Sequence, residues 1–159
     1  MKDLVPFATL KNLYYVLAFP HLKYCNMIWG GTFATYLQPL FLIQKRILRI
    51  INNKGYLHPT NELFRNSRIL KLDDIHKFEL AIYMYKNHSL PIFQYPHNHL
   101  TRNRGLSNPL YQRLSLTQQS VYYRGPIVWN NLPNEVRNSP SICSFKRVLK
   151  DHFLSFYMD

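Results

Sequence analysis

The chain has 159 residues, and 20 Lys+Arg face eight Asp+Glu for a formal charge of +12. With 47% hydrophobic residues it can bury a core, so disorder is excluded as the default. No apolar run approaches the roughly 18 residues of a membrane span, and Cys25 and Cys143 are too few for a disulfide framework or a four-cysteine zinc site. A charge of this size points to a polyanionic partner. The absence of a secretory apolar core after Met1 and the low cysteine content set the expectation of an intracellular protein, nuclear or cytoplasmic.

Leu10, Leu13, Tyr14 and Leu17 recur at helical spacing and predict a helix over 7–18, which Pro20 ends or kinks. The apolar run His21 to Trp29 reads either as a continuation of that helix or as a buried strand, closed by Gly30-Gly31. The clearest helix covers 36–52. Leu37, Leu40, Phe41, Ile43, Ile47, Leu48, Ile50 and Ile51 occupy about half its circumference, interrupted only by Gln44. Lys45, Arg46 and Arg49 fall on the other side, Pro39 is expected in the first turn, and Asn52-Asn53-Lys54-Gly55 is the stop. A short helix is expected over Asn61 to Asn66. Asp73-Asp74 open another, carrying Ile75, Phe78, Ile82 and Tyr85 on one face.

Residues 87–112, with three prolines and many asparagines, read as loop. The alternation from Arg113 to Thr117 and the β-branched and aromatic run from Val121 to Trp129, broken by Gly125-Pro126, predict a small hairpin. Ser139-Pro140 is the expected cap of a last amphipathic helix bearing Phe145, Val148, Leu149, His152, Phe153 and Phe156.

Charge is partitioned. Residues 4–61 and 80–134 contain no acid, and the acids gather near 62–79 and the C-terminal end. Lys45, Arg46, Arg49 and Lys54 in the first basic stretch are candidate phosphate contacts, as are Arg102, Arg104, Arg113 and Arg124 in the second; Tyr122 is a candidate base-stacking residue. For Trp129, packing in a core is the stronger expectation.

Asp73-Asp74 has the look of a two-metal carboxylate pair. A helical period begins directly after it, however, which favours a role at a helix N-terminus. The seven histidines, His97 and His99 among them, show no metal spacing. Cys25, in an apolar run, is expected to be a buried thiol, and His152 to be packed. Neither a catalytic constellation nor a metal or cofactor site is expected. A hydrolase using His97, His99 and Asp73 or Asp74 is the weakest reading.

Three stretches together carry a family resemblance. The first is Leu13-Tyr14-Tyr15-Val16-Leu17-Ala18-Phe19-Pro20-His21-Leu22-Lys23-Tyr24-Cys25, continuing to Ile28-Trp29-Gly30. The second is Leu42-Ile43-Gln44-Lys45-Arg46-Ile47-Leu48-Arg49-Ile50-Ile51. The third is Tyr123-Arg124-Gly125-Pro126-Ile127-Val128-Trp129-Asn130-Asn131-Leu132-Pro133, followed by Ser141 and Phe145-Lys146. In order and approximate spacing they resemble the C-terminal region, thumb and beyond, of reverse transcriptases from animal non-LTR (LINE, jockey-like) retrotransposons.

The family's Tyr/Phe-x-Asp-Asp motif and other palm aspartate would lie before Met1, so the resemblance implies a catalytically incomplete fragment with no polymerase residue to carry over. It implies a thumb-like helical bundle followed by a C-terminal module; together with the small antiparallel β-hairpin read near residues 113–129, the expected fold is mainly α. Three regions are expected, a thumb-like helical region at 1–90, a Pro/Asn-rich linker at 91–112, and a hairpin plus amphipathic helix at 113–159. The implied partner is RNA or an RNA/DNA duplex held by its phosphates, with the helix from Gln44 to Arg49 facing it and the parent polymerase's palm domain alongside. The alternative is a structural or interaction module, or an inert retroelement remnant, whose apolar faces normally pack on missing domains.

Overall fold

The computed structural model describes residues 5–94, 106–110 and 113–157. Among these the chain is helical with no strand. The expected hairpin is therefore corrected: Thr117–Gln119 is a 3₁₀ turn, and Val121–Asn130 is a helix, α7. The reason is visible in its burial. Gly125, Pro126, Trp129 and then Leu132 are buried, a spacing of three to four residues where a strand would bury every second one. Gly125 lets the helix lie close to its neighbour, since a Cβ there would meet Met84 Sδ at 3.0 Å. Tertiary packing outweighed the β-propensity of the Val, Tyr and Trp residues.

The N-terminal helix α1 (Phe7–Leu13) runs through a π turn (Tyr14–Ala18) into α2 (Phe19–Lys23). Pro20 neither ends nor replaces the helix. It has no N–H to offer Val16, and the π turn immediately before it widens the backbone to accommodate the ring. The chain then turns at Cys25, whose φ is +50°, and forms the short α3 (Asn26–Trp29). Cys25 is exposed, contrary to the expected buried thiol, because the apolar run bends there instead of continuing into the core.

Helix α4 (Ala34–Ile51) starts earlier than expected, so Pro39 sits in its second turn and not its first. Thr35, whose carbonyl loses its partner through Pro39, is exposed to water. The helix stops through Asn53 at φ +51°, with Lys54 N–H donating to the Arg49 carbonyl at 2.8 Å. After α5 (Asn61–Ser67), Arg68 adopts the same left-handed cap. Helix α6 (Leu72–Asn87) is the central element: it packs on α2, α3, α4, α7 and α9, so Leu72, Ile75, His76, Leu80, Ala81 and Met84 are all buried.

A 3₁₀ turn (Pro91–Phe93) inserts Phe93 fully into the core, and the Asn130 side chain holds Ser107 through bonds of 2.8 and 2.9 Å to its carbonyl and N–H. Helix α8 (Asn134–Arg137), absent from the expectation, precedes α9 (Ile142–Ser155). The α9 cap is Ser141, which accepts from Ser144 N–H at 3.2 Å; Ser139 instead bonds the Val136 carbonyl through its hydroxyl. The core joins Tyr14, Leu48, Phe64, Ile75, Met84, Phe93, Trp129, Phe145 and Leu149, drawn from both ends of the chain.

Gln44, the polar interruption of the α4 arc, is completely buried. Its Nε2 donates to the Tyr14 hydroxyl at 3.0 Å and to the Leu70 carbonyl at 2.9 Å, tying α4 to the π turn and to the loop before α6. The arc itself is divided. Leu37, Phe41, Gln44, Leu48 and Ile51 face the core, while Tyr36, Ile43 and Ile50, flanked by Leu40 and Ile47, stand 70%, 52% and 68% exposed.

Candidate nucleic-acid interface

Lys45, Arg46 and Arg49 lie on a side of α4 that adjoins its exposed apolar stripe, with Arg46 next to Ile43 and Ile50 at helical spacing, and the turn after Gly55 brings Tyr56 against them. The Arg46 and Arg49 guanidiniums lie 5.6 and 5.9 Å from the Tyr56 ring centroid. Arg46 Nη2 donates to the Tyr56 hydroxyl at 3.3 Å, and Arg49 Nε donates to the His58 carbonyl at 2.9 Å. The hydrogen bond from Arg46, reinforced by its charge, holds the exposed Tyr56 phenol below its ordinary pKa. Lys45 rests 4.4 Å over the Phe41 ring, and Lys54 is exposed in the adjoining turn.

The basic surface continues beyond α4. Lys71 sits 4.3 Å over the Tyr157 ring. Burial holds its ammonium below the usual lysine range; Lys45 and Lys77 press in the same direction, and Asp74 and Asp73 oppose them. Asp74 is itself occupied, since Tyr157 donates to it at 2.6 Å and Lys77 pairs with it at 3.2 Å. The same contact, after burial, raises the Tyr157 phenol. Two other acids are paired as well, Glu79 with Lys23 and Asp151 with Arg68. Lys71 thus lies between the α4 cations and Lys77, with Asp73 and Asp74 beside it.

Asp73 and Asp74 stand in the first turn of α6, where carboxylates stabilise the positive end of the helix. Among the described residues no group of three His, Cys, Asp or Glu converges as a metal site. Arg102, Arg104, His97 and His99 lie outside the described residues. Arg113 is exposed ahead of the 3₁₀ turn. Tyr122 is half exposed, its ring stacked on Phe93 at 6.1 Å and 26°, while Trp129 is buried as expected. His152 is half-buried against Phe156 at 4.9 Å, and burial lowers its pKa.

Arg124 enters a different setting. With Lys77 it lines a cavity of about 530 Å³ between the start of α4, α6 and α7. The wall holds His76, 4% exposed, whose Nδ1 lies 3.0 Å from the Asn26 carbonyl. Burial, more than the Arg124 charge, lowers the His76 pKa.

Sequence reasoning missed Tyr56, Lys71, Lys77 and His76. Tyr56 carried one usable signal: an aromatic in a turn between Lys54 and His58, outside any apolar period. Taken together the arrangement can grip phosphates through Lys45, Arg46, Arg49, Lys54, Lys71 and Lys77, and can offer an aromatic face at Tyr56. No family model, no curated protein and no solved structure matches this chain.

Proposed function

We propose that this chain binds RNA or an RNA/DNA duplex through its phosphates, without catalysis of its own, and is related to the C-terminal region of a non-LTR reverse transcriptase. The three resembling stretches support the relationship. The observation that carries the binding is the exposed Tyr56 flanked by Arg46 and Arg49, beside Lys45, in a stretch from residue 4 to 61 with no acid. Phosphate grip gives affinity with little sequence preference, and guanidiniums set against an exposed aromatic ring are the kind of surface on which an unpaired base stacks.

The test is affinity for a primer-template duplex between 50 and 200 mM salt. Six phosphate contacts correspond to a loss of about a thousandfold over that range. Arg46→Ala/Arg49→Ala lowers the slope by about two contacts. A flat salt response refutes the reading.

The apolar stripe Tyr36, Leu40, Ile43, Ile47 and Ile50 favours a second reading, an interaction module that packs on another domain. Salt-insensitive behaviour combined with self-association or aggregation through that stripe supports it.

A further inference from the structure

We propose that the cavity between α4, α6 and α7 receives the base of an unpaired nucleotide, accepted by His76 Nε2 and held from the side by Arg124. The inference rests on the nucleic-acid reading above and goes beyond it, because the cationic surface of α4 recognises phosphate and not base.

The hydrogen-bond chemistry of the cavity selects its occupant. The Asn26 carbonyl can only accept, so His76 Nδ1 must carry the proton toward it, and the neutral ring presents Nε2 as a bare acceptor. That Nε2 is buried with no hydrogen-bond partner among the described residues, on a side chain 96% removed from solvent. An orphaned buried acceptor destabilises the fold, and a donor from a ligand recovers that loss. A phosphate or carboxylate has only acceptors and is rejected at this depth. Arg124, in contrast, has only donors. A ligand satisfying both presents a donor beside an acceptor, as the edge of a nucleobase does.

The shape agrees with a flat ring. Leu37, Leu80, Ile127 and Val128 give apolar walls, and the volume of about 530 Å³ lies within the usual range of small-molecule sites. Gly31 packs closely at this corner: a Cβ there would meet the Gln119 carbonyl oxygen at 2.9 Å and stand 3.4 Å from His76 Nε2 and 3.6 Å from Arg124 Cδ, so any larger residue would crowd the acceptor. Asp73 and Lys77 on the lining bring one charge of each sign, and Lys77 links this cavity to the cations that run back to Lys45.

The experiment follows the ¹⁵N resonance of His76 Nε2 in the full chain during titration with uridine 5′-monophosphate, ribose 5-phosphate and N-acetylasparagine amide. Saturable movement of Nε2 by the nucleotide, and none by the sugar phosphate, is the expected result. Arg124→Gln weakens the nucleotide by about tenfold. Ile127→Trp, which fills the cavity from a partly exposed position, abolishes the effect. A silent His76, equal response to ribose 5-phosphate, or a stronger response to the amide overturns the base site, the last by assigning the cavity to a protein side chain. Duplex affinity measured on the same sample separates the failures: retained salt-dependent binding with a silent His76 removes only the base site, whereas loss of both removes the parent reading.

Discussion

Replacing Gly30 by alanine tests the architecture that holds His76 in place. Gly30 has φ −67° and ψ −13°, an ordinary right-handed conformation, so alanine brings no backbone strain. The cost is spatial. A Cβ at residue 30 would lie 2.5 Å from the Asn26 carbonyl oxygen and 2.7 Å from both Asn26 Oδ1 and His76 Nδ1. The methyl group must displace the hydrogen bond of 3.0 Å between His76 and Asn26, both of which are buried. Leaving those groups unpaired costs about 1–3 kcal/mol, and forcing a methyl into filled space costs about 1–3 kcal/mol more. Against this, alanine gains at most about 1 kcal/mol in helix propensity.

The balance is a loss of about 3 kcal/mol, or a urea midpoint lowered by about 1.5 M at a slope near 2 kcal/mol/M. Urea unfolding followed by circular dichroism reads it directly. Gly55→Ala is the control: no atom lies within 4 Å of a Cβ at residue 55, so its stability stays within about 0.5 kcal/mol of the wild type. A Gly30→Ala midpoint as close as the control's refutes the steric argument and, with it, the fixed orientation of the His76 ring.

Two further outcomes follow from burial. Tyr14 is 2% exposed and its phenol is pushed up to about 12 by burial, with Gln44 opposing. The folded pKa is above the unfolded one, so the neutral phenol's stability is full below pH 10 and is lost as pH rises through 12. The loss amounts to about 3 kcal/mol, read as the difference between wild type and Tyr14→Phe in unfolding across pH 9–12; parallel curves contradict it. On α4, Ile43→Gln and Ile50→Gln are expected to change stability by less than about 0.5 kcal/mol while reducing dye binding to exposed apolar surface, whereas Leu48→Ala costs about 2–5 kcal/mol. Comparable costs at Ile50 and Leu48 would mean that the stripe is covered.

Much of the helical layout was readable in local periodicity. The spans of α4, α5, α6 and α9 follow apolar spacing and punctuation by Asn, Asp and Ser, because hydrogen bonding four residues apart makes a helix a short-range decision. The same spacing showed that Lys45, Arg46 and Arg49 share a side. Helix α7 was not readable, since Val121 to Trp129 satisfies β-propensity locally and becomes helical where Gly125 can lie against Met84. The capping serine of α9 was misplaced by two residues for a similar reason: Ser139 is claimed by Val136 and by the Tyr85 hydroxyl, which donates to its carbonyl at 2.8 Å.

What the chain alone decided, then, is which residues share a helix and which share a side of it. Tertiary structure decided what meets each side. It covered the half of the α4 arc containing Gln44 and left the half containing Ile43 and Ile50 in water. It folded Tyr56 onto two arginines and joined Arg124 to His76 across α6 and α7. Periodicity is a property of neighbours in sequence, whereas burial and charge proximity depend on partners tens of residues away, and only the assembled core brings those together.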